Sequence, residues 1–170
     1  MLELVDRWLL LTAERIHVQA ESLTRLDQAI GDGDHGANLD RGFTEITALV
    51  EAGPPVGDGV EAASERLREA GRTLISKVGG ASGPLYGSGL LRAAADIRSS
   101  DAGTSTAELV VLSLEAAGAG ISELGRSTTG EKTMLDALFP AATTARAVLG
   151  RGEDVPGIAN AAAAAAEAGA

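Results

Sequence analysis

Positions Val5, Trp8, Leu9, Thr12, Ile16, Leu23, Leu26 and Ile30 follow one another largely at steps of three and four, the period of one face of an α-helix. That stripe commits the chain, from near its start to about Ile30, to one long amphipathic helix. The same period returns from about Asn38 to Ala52, carried by Leu39, Phe43, Ile46 and Val50, and from Val60 to Val78, carried by Ala63, Leu67, Leu74 and Ile75. It predicts further helices over about Leu90 to Arg98, Thr106 to Leu124, Lys132 to Leu149, and Val155 to the end. The segments GPPVGDG, SSDAGTS, GRSTTGE and GRGEDVPG supply caps and breakers between them. Aromatic residues are only 2% of the chain, and runs of β-branched residues are scarce, so sheets are disfavoured. The expected fold class is all-α, about seven helices in one domain spanning 1–170.

Charge and composition remove several function classes. The formal net charge is −10 and no Lys/Arg cluster appears, which excludes a basic face for nucleic acid or for an anionic membrane surface. The chain has no cysteine, hence no disulfide and no thiolate metal site. Its N-terminus, MLELVDRWLLLTAERIH, lacks the basic lead and uncharged apolar run of a signal peptide. A cytoplasmic protein is expected.

The stretch AIGDGDHGAN, Ala29 to Asn38, contains G-x-G-x-x-G at Gly31, Gly33 and Gly36. A dinucleotide loop of that pattern follows a strand and bares its backbone to a pyrophosphate. Here a helix precedes it and Asp32 and Asp34 fill the gaps, where they would repel phosphate unless a cation lay between. Asp27 lies on the apolar stripe, four residues after Leu23, and a carboxylate facing the core side calls for a counter-charge, a proton or a metal. Arg25 and Arg41 are near in sequence but off that stripe. Asp27, Asp32 and Asp34 thus form a candidate cation site. A calcium loop of the EF-hand type would need Glu at its twelfth position, where Phe43 stands counting from Asp32; magnesium, held by a few carboxylates and completed by substrate phosphates, suits the pattern better. The alternative is that Asp32, Asp34 and Asn38 only cap the second helix. His35 is open between phosphate ligand, carboxylate orienter, proton carrier and bystander.

GGASGPLYGSG, Gly79 to Gly89, reads as a second glycine loop. It lacks the lysine of a P-loop, yet its backbone N–H groups, Ser82 and a following helix N-terminus are able to cradle an anion; the competing reading is a connection whose glycines allow close packing. In STTGEKTMLDALFPA, Lys132 is either a phosphate contact or a solvated first-turn lysine. Met134 is either core or one wall of an adenine pocket.

With LDQAIGDGDHGANLDRGF, VGGASGPLYGSG and GEKTMLDAL present in this order, the chain resembles the ADP-binding L subunit of bacterial dihydroxyacetone kinases over most of its length. The resemblance implies a barrel of antiparallel amphipathic helices, eight in the family, with a nucleotide at one end and its phosphates clamped by two Mg²⁺ ions. By position it makes Asp27, Asp32 and Asp34 the metal ligands. His35, Gly36, Ala37 and Asn38 would lie along the phosphates, Ala81 and Ser82 would contact phosphate from the second loop, and Gly125 and Met134 would border adenine and ribose. It implies a partner K subunit that holds dihydroxyacetone covalently. The phosphoryl donor would be either ATP or a resident ADP recharged by a phosphohistidine protein of the phosphotransferase system. No Ser-His-Asp or Cys-His set is needed for such chemistry, which rests on positioning and charge neutralisation.

One departure from the family pattern is visible. Family members continue past the alanine-rich helix with a segment like RGRASYLGERSxGHxDPGA and a last helix, whereas this sequence ends at AAAAAAEAGA. On that reading the C-terminal lid and the closing helix are absent and weak ADP binding is expected. Two other functions remain alternatives: a kinase subunit for another small hydroxyketone or tetrose, and a nucleotide-binding regulatory module that transfers nothing. A homodimer is a further partner option.

Overall fold

A computed structural model describes residues 1–170. Seven helices follow one another, α1 (Leu2–Gln28), α2 (His35–Glu51), α3 (Gly59–Lys77), α4 (Ser82–Arg98), α5 (Thr106–Gly125), α6 (Leu135–Leu149) and α7 (Val155–Gly169), and no strand forms. The all-α expectation holds. By compactness the chain divides into two units, Met1–Ser88 and Gly89–Ala170.

In the first unit the short links make sequential neighbours antiparallel. Gly36, at the start of α2, lies against the Ala20 carbonyl and Thr24 near the end of α1, so close that a Cβ would collide with the carbonyl. Further along the pair, His17 meets Asp40 at 2.9 Å. At the other end Arg66 of α3 ties Asp6 of α1 (2.7 Å) to the Leu49 carbonyl of α2 (3.0 Å). The helix α3 returns along α2, with Gly42 seated on Val78. Leu9, Phe43, Ile46, Leu67 and Leu74 form the buried interior between them.

The α1 stripe is narrower than its period predicts. Val5 and Leu9 are buried and Thr12, Ile16 and Leu23 half-buried, but Trp8 is 47%, Leu26 68% and Ile30 96% exposed. Ile30 lies past the helix end at Gln28, where the helical period no longer aims it.

In the second unit α5 and α6 are antiparallel, with Gly118 against Phe139 and Arg146 gripping Glu115 through two bonds (2.9 and 2.6 Å) and Glu108 through one (3.0 Å). A small-residue core of Val111, Ala141, Ala145, Val148, Ile158 and Ala162 joins α5, α6 and α7. The caps lie where the breaker segments place them. Ser105 accepts from Glu108 N–H at the start of α5, and Asp154 from Gly157 N–H at the start of α7.

Three boundaries are corrected. The stretch Gly79 to Gly89 is not a loop throughout, because α4 begins at Ser82. Pro84 sits in the first turn, where its missing N–H costs no helical bond. Gly83 and Gly87 abut the Val78 and Gly71 carbonyls, so these glycines serve helix packing. The second helix starts at His35 rather than Asn38, and the sixth at Leu135 rather than Lys132, where Lys132 has a left-handed φ of 58°.

Candidate functional site

The end of α1 and the start of α2 are joined by six residues, and one carboxylate organises them. Asp27 Oδ2 accepts from the backbone N–H of Gly33 (2.9 Å), Asp34 (3.0 Å) and His35 (3.3 Å). Gly33 makes this wrap possible with a φ of 73°, a region open to glycine at little cost. Gly31 lies so near the Asp27 Oδ1 that any Cβ there would displace the carboxylate. Partial burial pushes the Asp27 carboxyl up in pKa. The three N–H donors and the nearby His35 ring outweigh it, and the group titrates below its ordinary value.

The consequence is a cluster. Asp27, Asp32 and Asp34 each offer an oxygen, all within 4.8 Å of one another. Oxygens on one Mg²⁺ at about 2.1 Å lie at most about 4.2 Å apart, so a small rotation of exposed side chains brings the set onto a divalent cation. The donor chemistry fits as well, since hard carboxylate oxygens suit magnesium. The cap-only reading fares worse: Asp34 occupies the N-cap of α2 but its side chain makes no capping bond, and of the α2 N–H groups Asp27 takes only that of His35. Neither nearby arginine neutralises the cluster. Arg25 pairs with Glu21 at 2.6 Å, and Arg41 turns to Asn38 and the Lys77 carbonyl.

Of the other expected site residues, His35, Gly36, Ala37 and Asn38 form the first turn of α2 rather than a loop. The Asn38 N–H closes the first helical bond, to the Asp34 carbonyl, leaving the Gly36 and Ala37 N–H groups without intrahelical acceptors. The second glycine segment meets this turn directly: Ser82 Oγ and His35 Nδ1 are 3.0 Å apart, and the buried Asn38 packs on Gly79. Ala81 precedes α4, its carbonyl taking the Leu85 N–H. Two helix N-termini, three carboxylates, an imidazole and a hydroxyl therefore converge, an arrangement suited to an anion bridged by metal. Arg41, which the sequence marks only as a cation off the apolar stripe, bonds Asn38 at the three-residue spacing of one helix face.

Gly125 and Met134 belong to the second unit. Gly125 ends α5 and is exposed; Met134 precedes α6 and is half-buried. The loop they flank is held by Asp136, which accepts from the backbone N–H of Gly130 (2.5 Å) and Thr133 (2.9 Å). Those two donors, helped by the Lys132 N–H and opposed by partial burial, lower the Asp136 carboxyl below its ordinary value. A depressed carboxyl stabilises the fold above the unfolded pKa, about 4. In thermal melts, Asp136→Asn is expected to melt below the native chain at neutral pH, and the gap should close as pH falls through the folded-state pKa. A gap that stays constant down to acid would contradict this.

The sequence matches the family model described as the DAK2 domain over residues 29–170. The chain belongs to the DAK2 domain family. It is 41% identical over 134 residues to "PEP-dependent dihydroxyacetone kinase 1, ADP-binding subunit DhaL" of Listeria innocua, covering 79% of this chain and 64% of that protein. It is 36% identical over 142 residues to the Escherichia coli "PEP-dependent dihydroxyacetone kinase, ADP-binding subunit DhaL", covering 84% and 64%. Among solved structures it superposes with TM-score 0.76 and 27% identity on the dihydroxyacetone kinase from C. freundii in complex with AMP-PNP and Mg²⁺, over 99% of this chain and 28% of that one. The chain thus spans about three fifths of the length of these curated subunits. Asp27 lies just ahead of the span matched to the family model. No helix is long and apolar enough to cross a membrane.

Proposed function

We propose that this chain holds a magnesium-bound adenine nucleotide and serves as the nucleotide-binding part of a cytoplasmic dihydroxyacetone kinase. The observation that carries this reading is the convergence of Asp27, Asp32 and Asp34 beside the first turn of α2 and the start of α4. Asp27, Asp32 and Asp34 would hold the cations, two by the family pattern. A cation held by them would supply the positive charge that lets phosphate oxygens approach three carboxylates and that phosphoryl transfer requires.

This chain's own groups orient the phosphates. The Gly36 and Ala37 N–H groups, Asn38 and His35 act from α2, and Ala81 and Ser82 from the turn that opens α4. Gly125 and Met134 are the candidates for ribose and adenine. The acceptor, dihydroxyacetone, would be presented by a K-type subunit, and the nucleotide would be ATP or an ADP recharged by a phosphohistidine protein. The test is phosphoryl flux to dihydroxyacetone in a mixture of this chain, a K-type subunit and either donor. Flux that requires both proteins and falls to background with Asp32→Ala is expected. Nucleotide binding without flux under either donor would instead assign a regulatory module.

A further inference from the structure

Arg41, like Arg25, makes no bond to the carboxylate cluster. Its Nη2 donates to Asn38 Oδ1 at 2.7 Å and its Nε to the carbonyl of Lys77, the last residue of α3, at 3.0 Å. One planar guanidinium thus joins the first turn of α2 to the end of α3, a use of its forked donors that an ammonium cannot reproduce. Because Oδ1 faces the guanidinium, the Asn38 amide has one orientation available, with its NH₂ turned away from Arg41. The NH₂ nitrogen lies at the Gly79 turn, near enough that a Cβ on Gly79 would come within 2.9 Å of it. That turn leads to Ser82, which bonds His35.

We infer that Arg41 is a positioning residue for phosphate: it locks Asn38 with its NH₂ donors toward the Gly79–Ser82 turn, held in place by its second bond to the Lys77 carbonyl. Arg41 itself touches no phosphate. Without the guanidinium the amide is free to flip and present its oxygen, which repels an anion. This inference rests on the proposed nucleotide site and adds to it a residue that acts through Asn38.

The experiment is calorimetric titration of Mg²⁺-ADP into four proteins: the native chain, Arg41→Gln, Asn38→Ala and the double variant. Each single change should weaken binding about tenfold, the scale of one hydrogen bond to a charged group. Arg41→Gln should cost less than about twofold once Asn38 is alanine, because coupled residues are not additive. Arg41→Lys keeps the charge but not the fork, so it should bind like Arg41→Gln; it also carries the test if the glutamine variant fails to fold. Three results overturn the inference: native affinity in Arg41→Gln, native affinity in Arg41→Lys, or an undiminished tenfold loss in the Asn38→Ala background. A native chain that binds no Mg²⁺-ADP removes the nucleotide site and this inference together, whereas binding that ignores Arg41 removes the inference alone.

Discussion

In an Asp27→Asn chain, Mg²⁺-dependent nucleotide binding should fall by about a hundredfold or more while the loop between α1 and α2 keeps its backbone hydrogen bonds. The two oxygens of Asp27 have separate work. Oδ2 takes three backbone N–H groups, and an asparagine carbonyl takes its place without moving the loop. Oδ1 accepts none of those bonds and lies on the Gly31 side, and in the variant an NH₂ group stands there, a donor where a cation needs an acceptor. Changing even an outer-shell partner of a metal typically costs about 10–100-fold in metal affinity, and losing a ligand should cost at least as much. Amide hydrogen exchange checks the other half: Gly33, Asp34 and His35 should remain as protected as in the native chain. A variant that binds normally, or one whose loop amides lose protection together with binding, would contradict the division of labour.

The second large effect is on stability. Arg66 is 1% exposed and donates to Asp6 (2.7 Å), the Leu49 carbonyl (3.0 Å), the Gly53 carbonyl (2.5 Å) and Glu69 (3.3 Å). It links α1, the end of α2 and α3 at one point. Replacing it by methionine keeps much of the volume but strands Asp6 and two carbonyls, and breaking a buried pair in this way costs about 3–5 kcal/mol. For a chain of this size that is on the order of a 10 °C fall in Tm. Asp6 and Gly53 lie at the opposite ends of α1 and α2 from Asp27 and His35. Arg66→Met should therefore keep Mg²⁺-ADP affinity at temperatures where it remains folded. A Tm within about 2 °C of native, measured by circular dichroism, would show that this network contributes little.

How much of this was legible in the sequence depends on the distance over which the information travels. The helical period is local, so all seven helices were visible, the fourth only from Leu90, and Asp27 stood out because a carboxylate interrupted an apolar stripe. The start of α4 was hidden because five glycines and a proline between Gly79 and Gly89 look like loop chemistry. Their reason is tertiary: Gly83 and Gly87 bring α4 onto α3, and Pro84 is harmless in a first turn. The proline beside Ser82, followed by Leu85 and Leu90, was the available signal. Contacts across long separations left no trace in the pattern. Ser82 is 47 residues from His35, and Arg66 sits in the polar run SERLREAGR, where nothing marks it for burial.

The most direct measurement is calorimetric titration of ADP into the native chain and into Asp32→Ala, each with Mg²⁺ and with a chelator. A phosphate site bridged by metal predicts binding to the native chain only when Mg²⁺ is present, and none to Asp32→Ala in either buffer. Equal ADP affinity with and without Mg²⁺, or undiminished binding by Asp32→Ala, would show that the three carboxylates do not bring phosphate to this loop.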